Sequence, residues 1–272
     1  MEEVAELKEK LLKMMSWFHE FCKENDLKYY VLGGTMLGAV RHGGFIPWDD
    51  DIDVGMPRKD YERLSQIMGD RIHGKYLLET PDTQSMDYYY TFSKIYDTDT
   101  TLIENTRYKI RRGIYLDIFP LDGIGENYEN AKYNFSKIKK LDNMLMLKTA
   151  GFRKGRKLYK NIGVALFRLI PISSKKLLKI LCRECAKKDF DAYEFGGNLV
   201  GAWGIKEIFH RSVMGEPTLY KFESIMVYGA EKADEYLKGL YGDWKQLPPT
   251  EKRVSHHDYI LRDLKTPYIK KG

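Results

Sequence analysis

Apolar residues recur at steps of three and four through the first part of the chain: Val4, Leu7, Leu11, Met14, Phe18 and Phe21. That spacing places one apolar stripe on a helix, which the pattern ends near Asn25. Residues 29–32 form a short apolar run that stops at Gly33-Gly34 and reads as a buried strand entering a tight turn. Residues 35–42 then read as a short helix, 43–48 as a loop in which Pro47 blocks helix, and 52–56 as a second strand. Pro57 suits a helix start, and 58–68 carry helical periodicity. From Tyr76 to Pro120 the chain turns β-branched and aromatic, and 88–96, 100–103 and 114–120 read as three more strands. Helical patterning returns at 127–149, 156–169 and 173–189. A glycine-rich stretch at 196–204, a strand near 220–227, a helix near 231–240 and a polar tail from Gly242 complete the chain. No internal repeat is visible. The order predicts an α/β (α+β) protein, with a mixed-sheet catalytic core over 1–125 and a mainly helical region over 126–272.

The length of 272 residues suits one catalytic domain with an extension rather than two independent cores. A hydrophobic content of 43% and a charged content of 31% fit a water-soluble globular chain. The net charge of +6 is mildly basic, which reflects either ordinary surface lysine or a polyanionic partner such as a nucleotide, an anionic glycan or an anionic membrane. Basic residues and acids are interspersed and no nucleic-acid-binding module is recognisable, so nucleic acid is not expected as a partner. Cys182 and Cys185 form a Cys-x-x-Cys, but inside a helical pattern without a second pair, so they read as one helix face rather than a zinc or redox site. The first residues are charged and no apolar run reaches the roughly 20 residues of a membrane span. The expectation is a cytoplasmic protein. Residues 153–188 place many Lys and Arg around apolar positions, which suits either helices on the catalytic domain or a basic face resting on an anionic inner leaflet.

The chemistry concentrates at 33–53. A glycine turn exposes backbone N–H groups that attract phosphate, and carboxylates follow about twenty residues later. On a strand, Asp51 and Asp53 share a face. Two carboxylates so placed repel unless a cation lies between them, and Mg2+ or Mn2+ fits that gap. Asp49 and Asp50 lie in the approach in a supporting role. Asp117 stands alone in the apolar strand Gly-Ile-Tyr-Leu-Asp-Ile-Phe-Pro, where a charge is costly unless paired or metal-bound. It either completes a three-carboxylate metal site or pairs with Arg111 or Arg112.

These residues resemble the LicD family. The likeness is carried by Gly33-Gly34-Thr35-Met36-Leu37-Gly38-Ala39-Val40-Arg41-His42, by Gly44-Phe45-Ile46-Pro47-Trp48-Asp49-Asp50-Asp51-Ile52-Asp53-Val54 with Met56-Pro57, and by 113–120. It extends to Gly201-Ala202-Trp203-Gly204, Tyr241-Gly242-Asp243-Trp244, Pro248-Pro249 and His256. One departure is Tyr228-Gly229-Ala230, where a proline is expected before the last helix. The resemblance implies a branch of the polymerase-β-like nucleotidyltransferases, related distantly to fukutin and fukutin-related protein. It also implies transfer of a phospho-alcohol from a cytidine diphosphate carrier to a glycan. Phosphocholine from CDP-choline onto teichoic acid, lipopolysaccharide or capsule is the best-known case.

On that reading Asp51, Asp53 and Asp117 hold one or two divalent ions and form the catalytic set. Gly33, Gly34 and Thr35 face the phosphates, and Lys94 and Arg41 either neutralise phosphate oxygens or serve as structural salt bridges. His42 and His256 are supporting residues at the rim. Tyr88, Tyr89 and Tyr90 offer aromatic faces to a quaternary ammonium, but alternation on a strand keeps all three from lining one pocket. A rival reading keeps the same triad and transfers a nucleoside monophosphate from a triphosphate. Another is a non-catalytic binding protein.

Overall fold

A computed structural model describes residues 2–83, 88–105, 109–149, 163, 165, 171–254 and 259–269. Helix α1 (Glu2–Glu24) buries Leu7, Leu11, Met14, Met15, Phe18 and Cys22, while Val4 at its start is exposed. Strand β1 (Tyr30–Val31) delivers the chain to helix α2 (Gly33–His42), and strand β2 (Asp53–Pro57) leads directly into helix α3 (Arg58–Met68). Strand β3 (Tyr76–Glu79) and strand β4 (Ser93–Asp97) pair antiparallel, with Glu79 opposite Lys94. The eleven-residue strand β7 (Tyr115–Gly125) is the spine of the molecule. Its first half lies between β2, to which it is parallel, and β4, to which it is antiparallel. Its second half pairs with strand β8 (Phe195–Gly197), which in turn pairs with strand β9 (Ile208–His210).

Strand β5 (Thr101–Glu104) sits at the centre of a second, three-stranded sheet, between β6 (Arg111–Arg112) and β12 (Tyr259–Asp263). Strands β10 (Thr218–Phe222) and β11 (Ile225–Gly229) form a separate hairpin. Helices α4 (Tyr128–Thr149), α5 (Ser174–Cys185) and α6 (Ala233–Tyr241) follow, with short 3-10 turns at Phe190–Ala192, Gly204–Glu207, Arg211–Val213 and Thr250–Lys252.

The mixed α/β character is as expected, and several boundaries are corrected. Helix α2 starts at Gly33 rather than Thr35, because Gly33 takes a left-handed φ of 50° that turns the chain from strand into helix at once. The 88–96 strand begins only at Ser93. Tyr88 is fully buried and its hydroxyl donates to the Phe92 carbonyl, and the partner that aligns β4 is β3, which β-propensity in the tyrosine run does not supply. The strand near 220–227 is a hairpin, broken where Glu223 adopts φ of 53°. The tail from Gly242 holds β12, and the glycine-rich stretch holds β8, so the described part after residue 126 is mixed rather than mainly helical. The helix predicted at 156–169 falls largely outside the described residues.

The larger core gathers α1, β1, β2, β4, β7 and α6 around Met14, Phe18, Val54, Ile95, Leu116 and Leu237. A smaller one joins Phe135 and Leu145 of α4 to Leu177, Leu178, Leu181 and Cys185 of α5. Each such side chain contributes on the order of 2 kcal/mol by leaving water. Cys182 and Cys185 lie on α5 as expected, and burial pushes the Cys182 thiol up to about 12 and raises Cys185 as well, so neither is a reactive thiolate at neutral pH. Among the described residues no helix is long and apolar enough to cross a membrane.

Candidate active site

The parallel register of β2 and β7 sets Asp53 directly opposite Asp117. Adjacent strands are about 4.8 Å apart, so the two carboxylates rise side by side. The ladder continues one residue further back, where the Asp117 N–H donates to the Ile52 carbonyl at 3.1 Å. Asp51 precedes the strand proper, but its charge reaches Asp53. Burial, then Asp51, Asp117 and Asp49, push the Asp53 carboxyl well above the usual carboxylate range, and Lys94 opposes them.

Lys94, on β4, is 2% exposed and places its ammonium 2.9 Å from Asp117 Oδ1 and 3.5 Å from Glu104 Oε1. Asp117, for which a metal site or a pairing with Arg111 or Arg112 was open, meets Lys94, while Arg112 pairs with Glu79 at 2.8 Å. The Lys94 ammonium lies 3.3 Å from the centroid of Tyr115 and 4.6 Å from that of Tyr90. Burial works to raise Glu104, but the charge of Lys94 and hydrogen bonds from Tyr90, Tyr115 and Lys94 hold its carboxyl below the usual glutamate range. Of the three tyrosines in sequence, Tyr90 belongs to this cluster, Tyr88 is core, and Tyr89 lies 5.4 Å from the Lys175 ammonium.

Helix α2 aims its N terminus at the carboxylates. Leu32 at its N-cap supplies no side-chain acceptor for the first-turn N–H groups. Of these, the Gly33 N–H donates to the Tyr236 hydroxyl at 3.0 Å. Thr35 accepts the Asp53 N–H at 2.9 Å and so fixes the start of β2. Asp49 covers Gly34: a Cβ there would stand 2.6 Å from Asp49 Oδ2. A Cβ on Gly33 would stand 3.5 Å from Asp53 Oδ2 and 3.8 Å from the Tyr241 hydroxyl, which brings α6 to the same point.

Behind Tyr241 stands Trp203, their ring centroids 4.9 Å apart and edge to face. Glu207 holds this segment by accepting the Trp203 N–H at 2.8 Å. Burial pushes its carboxyl up to about 7, against hydrogen bonds from Trp203 and Asn198 and the charge of Lys139.

Asp50 is buried and lies 3.8 Å from Arg262. Arg41 lies eight residues along α2 from Gly33, about 12 Å away, and donates to the carbonyls of Trp244 at 2.7 Å and Gln246 at 3.3 Å. It thereby holds the 244–246 segment. His42 stands edge-on to Trp48 at 6.5 Å. His256 lies outside the described residues. The structure thus brings Gly33, Gly34, Thr35, Asp49, Asp51, Asp53, Lys94 and Asp117 together. To these it adds Glu104 and Tyr236, which the residue pattern did not single out, and Tyr90, Tyr115 and Tyr241, which it marked without placing them beside the carboxylates.

The Lys94 ammonium meets the carboxylates of Asp117 and Glu104, and Asp53, with the charges of Asp51 and Asp49 acting on it, adds further negative charge beside them. That donor set of hard oxygens, with an excess of negative charge, has the chemistry of a divalent-cation site. With the side chains as they stand, no three Asp, Glu, His or Cys groups among the described residues converge into a completed metal cage.

Residues 26–148 match the family described as LicD/FKTN/FKRP, nucleotidyltransferase domain. The chain is 30% identical over 271 residues to the lipopolysaccharide cholinephosphotransferase LicD of Haemophilus influenzae, covering 92% of this chain and 95% of that protein. It is 44% identical over 43 residues to human ribitol 5-phosphate transferase FKRP, covering 16% of this chain and 9% of that one. It is also 26% identical over 121 residues to mannosyltransferase regulator 4 of Saccharomyces cerevisiae, covering 42% of this chain and 10% of that one. The matched family and relatives that are named transferases make the chain a phosphotransferase. It belongs to the LicD family.

Proposed function

We propose that this protein transfers a phospho-alcohol, phosphocholine in the first instance, from a CDP-alcohol to a hydroxyl of a cell-surface glycan precursor, releasing CMP. Asp53 and Asp117 standing opposite each other beside the α2 N terminus are the observation that carries this reading. Family membership and the name of the Haemophilus relative support the phosphocholine assignment.

Asp51, Asp53 and Asp117 would hold Mg2+ or Mn2+, which when bound neutralises charge on the diphosphate. The remaining work falls to the chain itself. The free N–H groups of the α2 first turn and the Thr35 hydroxyl donate to phosphate oxygens. Lys94 fixes Asp117 in place, and Asp117 accepts the acceptor's hydroxyl proton. The acceptor oxygen bonds to the phosphorus carrying the alcohol, the bond from that phosphorus to the CMP oxygen breaks, and CMP departs with the electron pair.

A thermal-shift panel of CDP-choline, CDP-ethanolamine, CDP-glycerol and CDP-ribitol, each with Mg2+ or Mn2+, tests the donor. A ligand present at about a hundred times its dissociation constant stabilises the folded state by about 2.7 kcal/mol. A rise with CDP-choline alone supports the assignment; no rise with any of the four, and a rise with a nucleoside triphosphate, replaces it with nucleotidyl transfer. The released product separates the two chemistries again, as CMP or as pyrophosphate.

A further inference from the structure

The charge of this chain is unevenly placed. Between Asn143 and Arg183 the sequence holds eleven lysines and arginines and no aspartate or glutamate. The whole chain has 45 basic and 39 acidic residues, so the rest holds 34 against 39 and is net acidic. The basic character of the protein therefore resides in this one run. Its sequence also interleaves apolar residues such as Leu158, Ile162, Phe167 and Leu169 with the cations.

Within the run, α5 shows how the two kinds of residue separate. Leu177, Leu178, Leu181 and Cys185 are buried in the smaller core. Lys176, Lys179 and Arg183 are exposed and follow one another at steps of three and four, which sets them on one face. No acidic residue among those described pairs with any of the three. Lys187, one turn further on, is paired with Glu184 at 2.6 Å. A groove of about 700 Å³ runs beside the cationic face, between α5 and α3. Leu178 and Ile180 line it, while Glu62 and Asp82 stand on its other side. Arg58 also lines it, but its guanidinium is held by Asp122 at 2.6 Å. Arg58 opens α3 at the end of β2 remote from Asp53. Five strand residues, about 16 Å, separate this face from the carboxylates.

We infer that α5 docks on an anionic phospholipid bilayer, with Lys176, Lys179 and Arg183 meeting the phosphate headgroups. In the same basic run the aliphatic residues Leu158, Ile162, Val164, Leu166, Leu169 and Ile170 outnumber the aromatic Phe152, Tyr159 and Phe167, which favours a membrane surface over a nucleic acid met mainly by cations and stacking aromatics. Glu62 and Asp82 repel headgroups from the far wall and confine contact to the α5 lip. The inference is independent of the donor assignment, since a protein that binds no CDP-alcohol would still dock.

Vesicle flotation of the full chain tests it. The protein is expected to float with equimolar phosphatidylcholine and phosphatidylglycerol at low salt, to be released by high salt, and to ignore phosphatidylcholine alone. The triple variant K176E/K179E/R183E is expected to bind at least about a hundredfold more weakly while melting as the parent does. A control with equal charge change elsewhere, K13E/K132E/K221E, is expected to lose far less. Failure of the parent to float at low salt overturns the inference, as does a control that loses as much as the α5 variant. Displacement from vesicles by soluble RNA at equal phosphate concentration would instead assign the face to nucleic acid.

Discussion

The Lys94 ammonium stands 2.9 Å from Asp117 Oδ1, in a pocket walled by Tyr90 and Tyr115 and closed by Glu104. One buried cation thus answers carboxylates from two strands of two different sheets. Removing it leaves Asp117 and Glu104 with uncompensated charge. Lys94→Met is expected to cost about 3–5 kcal/mol of stability, the usual result of breaking a buried pair from one side. Urea unfolding of the variant and the parent measures it; a loss below about 1 kcal/mol would mean that solvent already screens the pair.

Asp53 behaves in the opposite way. Its neighbours Asp51, Asp117 and Asp49 disfavour its charge, so Asp53→Asn relieves repulsion. The variant is expected to melt at or above the parent temperature and to lose roughly a hundredfold or more in transfer rate. A melting curve and a CMP-release assay on one preparation decide. A folded variant that keeps parental turnover removes Asp53 from the chemistry.

Gly38 lies inside α2 where the following loop crosses it. A Cβ there would stand 2.4 Å from the Gly44 carbonyl oxygen, a backbone atom that cannot rotate aside. Gly38→Ala is therefore expected to destabilise by about 1–3 kcal/mol, although alanine is the better helix former. A denaturation midpoint at or above that of the parent would show that the loop shifts freely.

Glu207 gives the protein a pH dependence of stability. Burial pushes its carboxyl up to about 7 in the folded chain, from the ordinary 4.5 of the unfolded one. The folded state therefore holds this proton more tightly, and stability is lost as pH rises from about 4.5 to about 7. The loss from this group alone is on the order of 3 kcal/mol. In Glu207→Gln that fall is expected to vanish while the Trp203 N–H keeps an acceptor. Urea midpoints of both proteins near pH 5 and near pH 8 check it, and parallel trends in the two would rule out Glu207 as the source.

Much of the frame was legible from residue patterns, because it rests on local periodicity. Helices α1, α3 and α4 follow their apolar spacing, and β2 and the first half of β7 follow short apolar stretches bounded by turn residues. The alignment of Asp117 with Asp53 needed only the expectation that neighbouring strands meet. The other walls of the site were not legible. Glu104 belongs to a second sheet whose order depends on β12, far along the chain, and Tyr236 and Tyr241 arrive on α6 through tertiary packing. Arg41 illustrates the reverse: its position after the glycine pair left both phosphate and a structural role open, and its guanidinium holds the carbonyls of Trp244 and Gln246. Short-range spacing reports which face a side chain occupies, and contacts between distant segments decide what that face meets.

Strand β12 pairs with β5, setting Tyr259 opposite Glu104. During synthesis, β5 leaves the ribosome long before this partner exists. The wall behind Lys94 therefore closes only after residues 259–263 have been made, so a nascent chain carries its acidic residues well before it can align them for turnover.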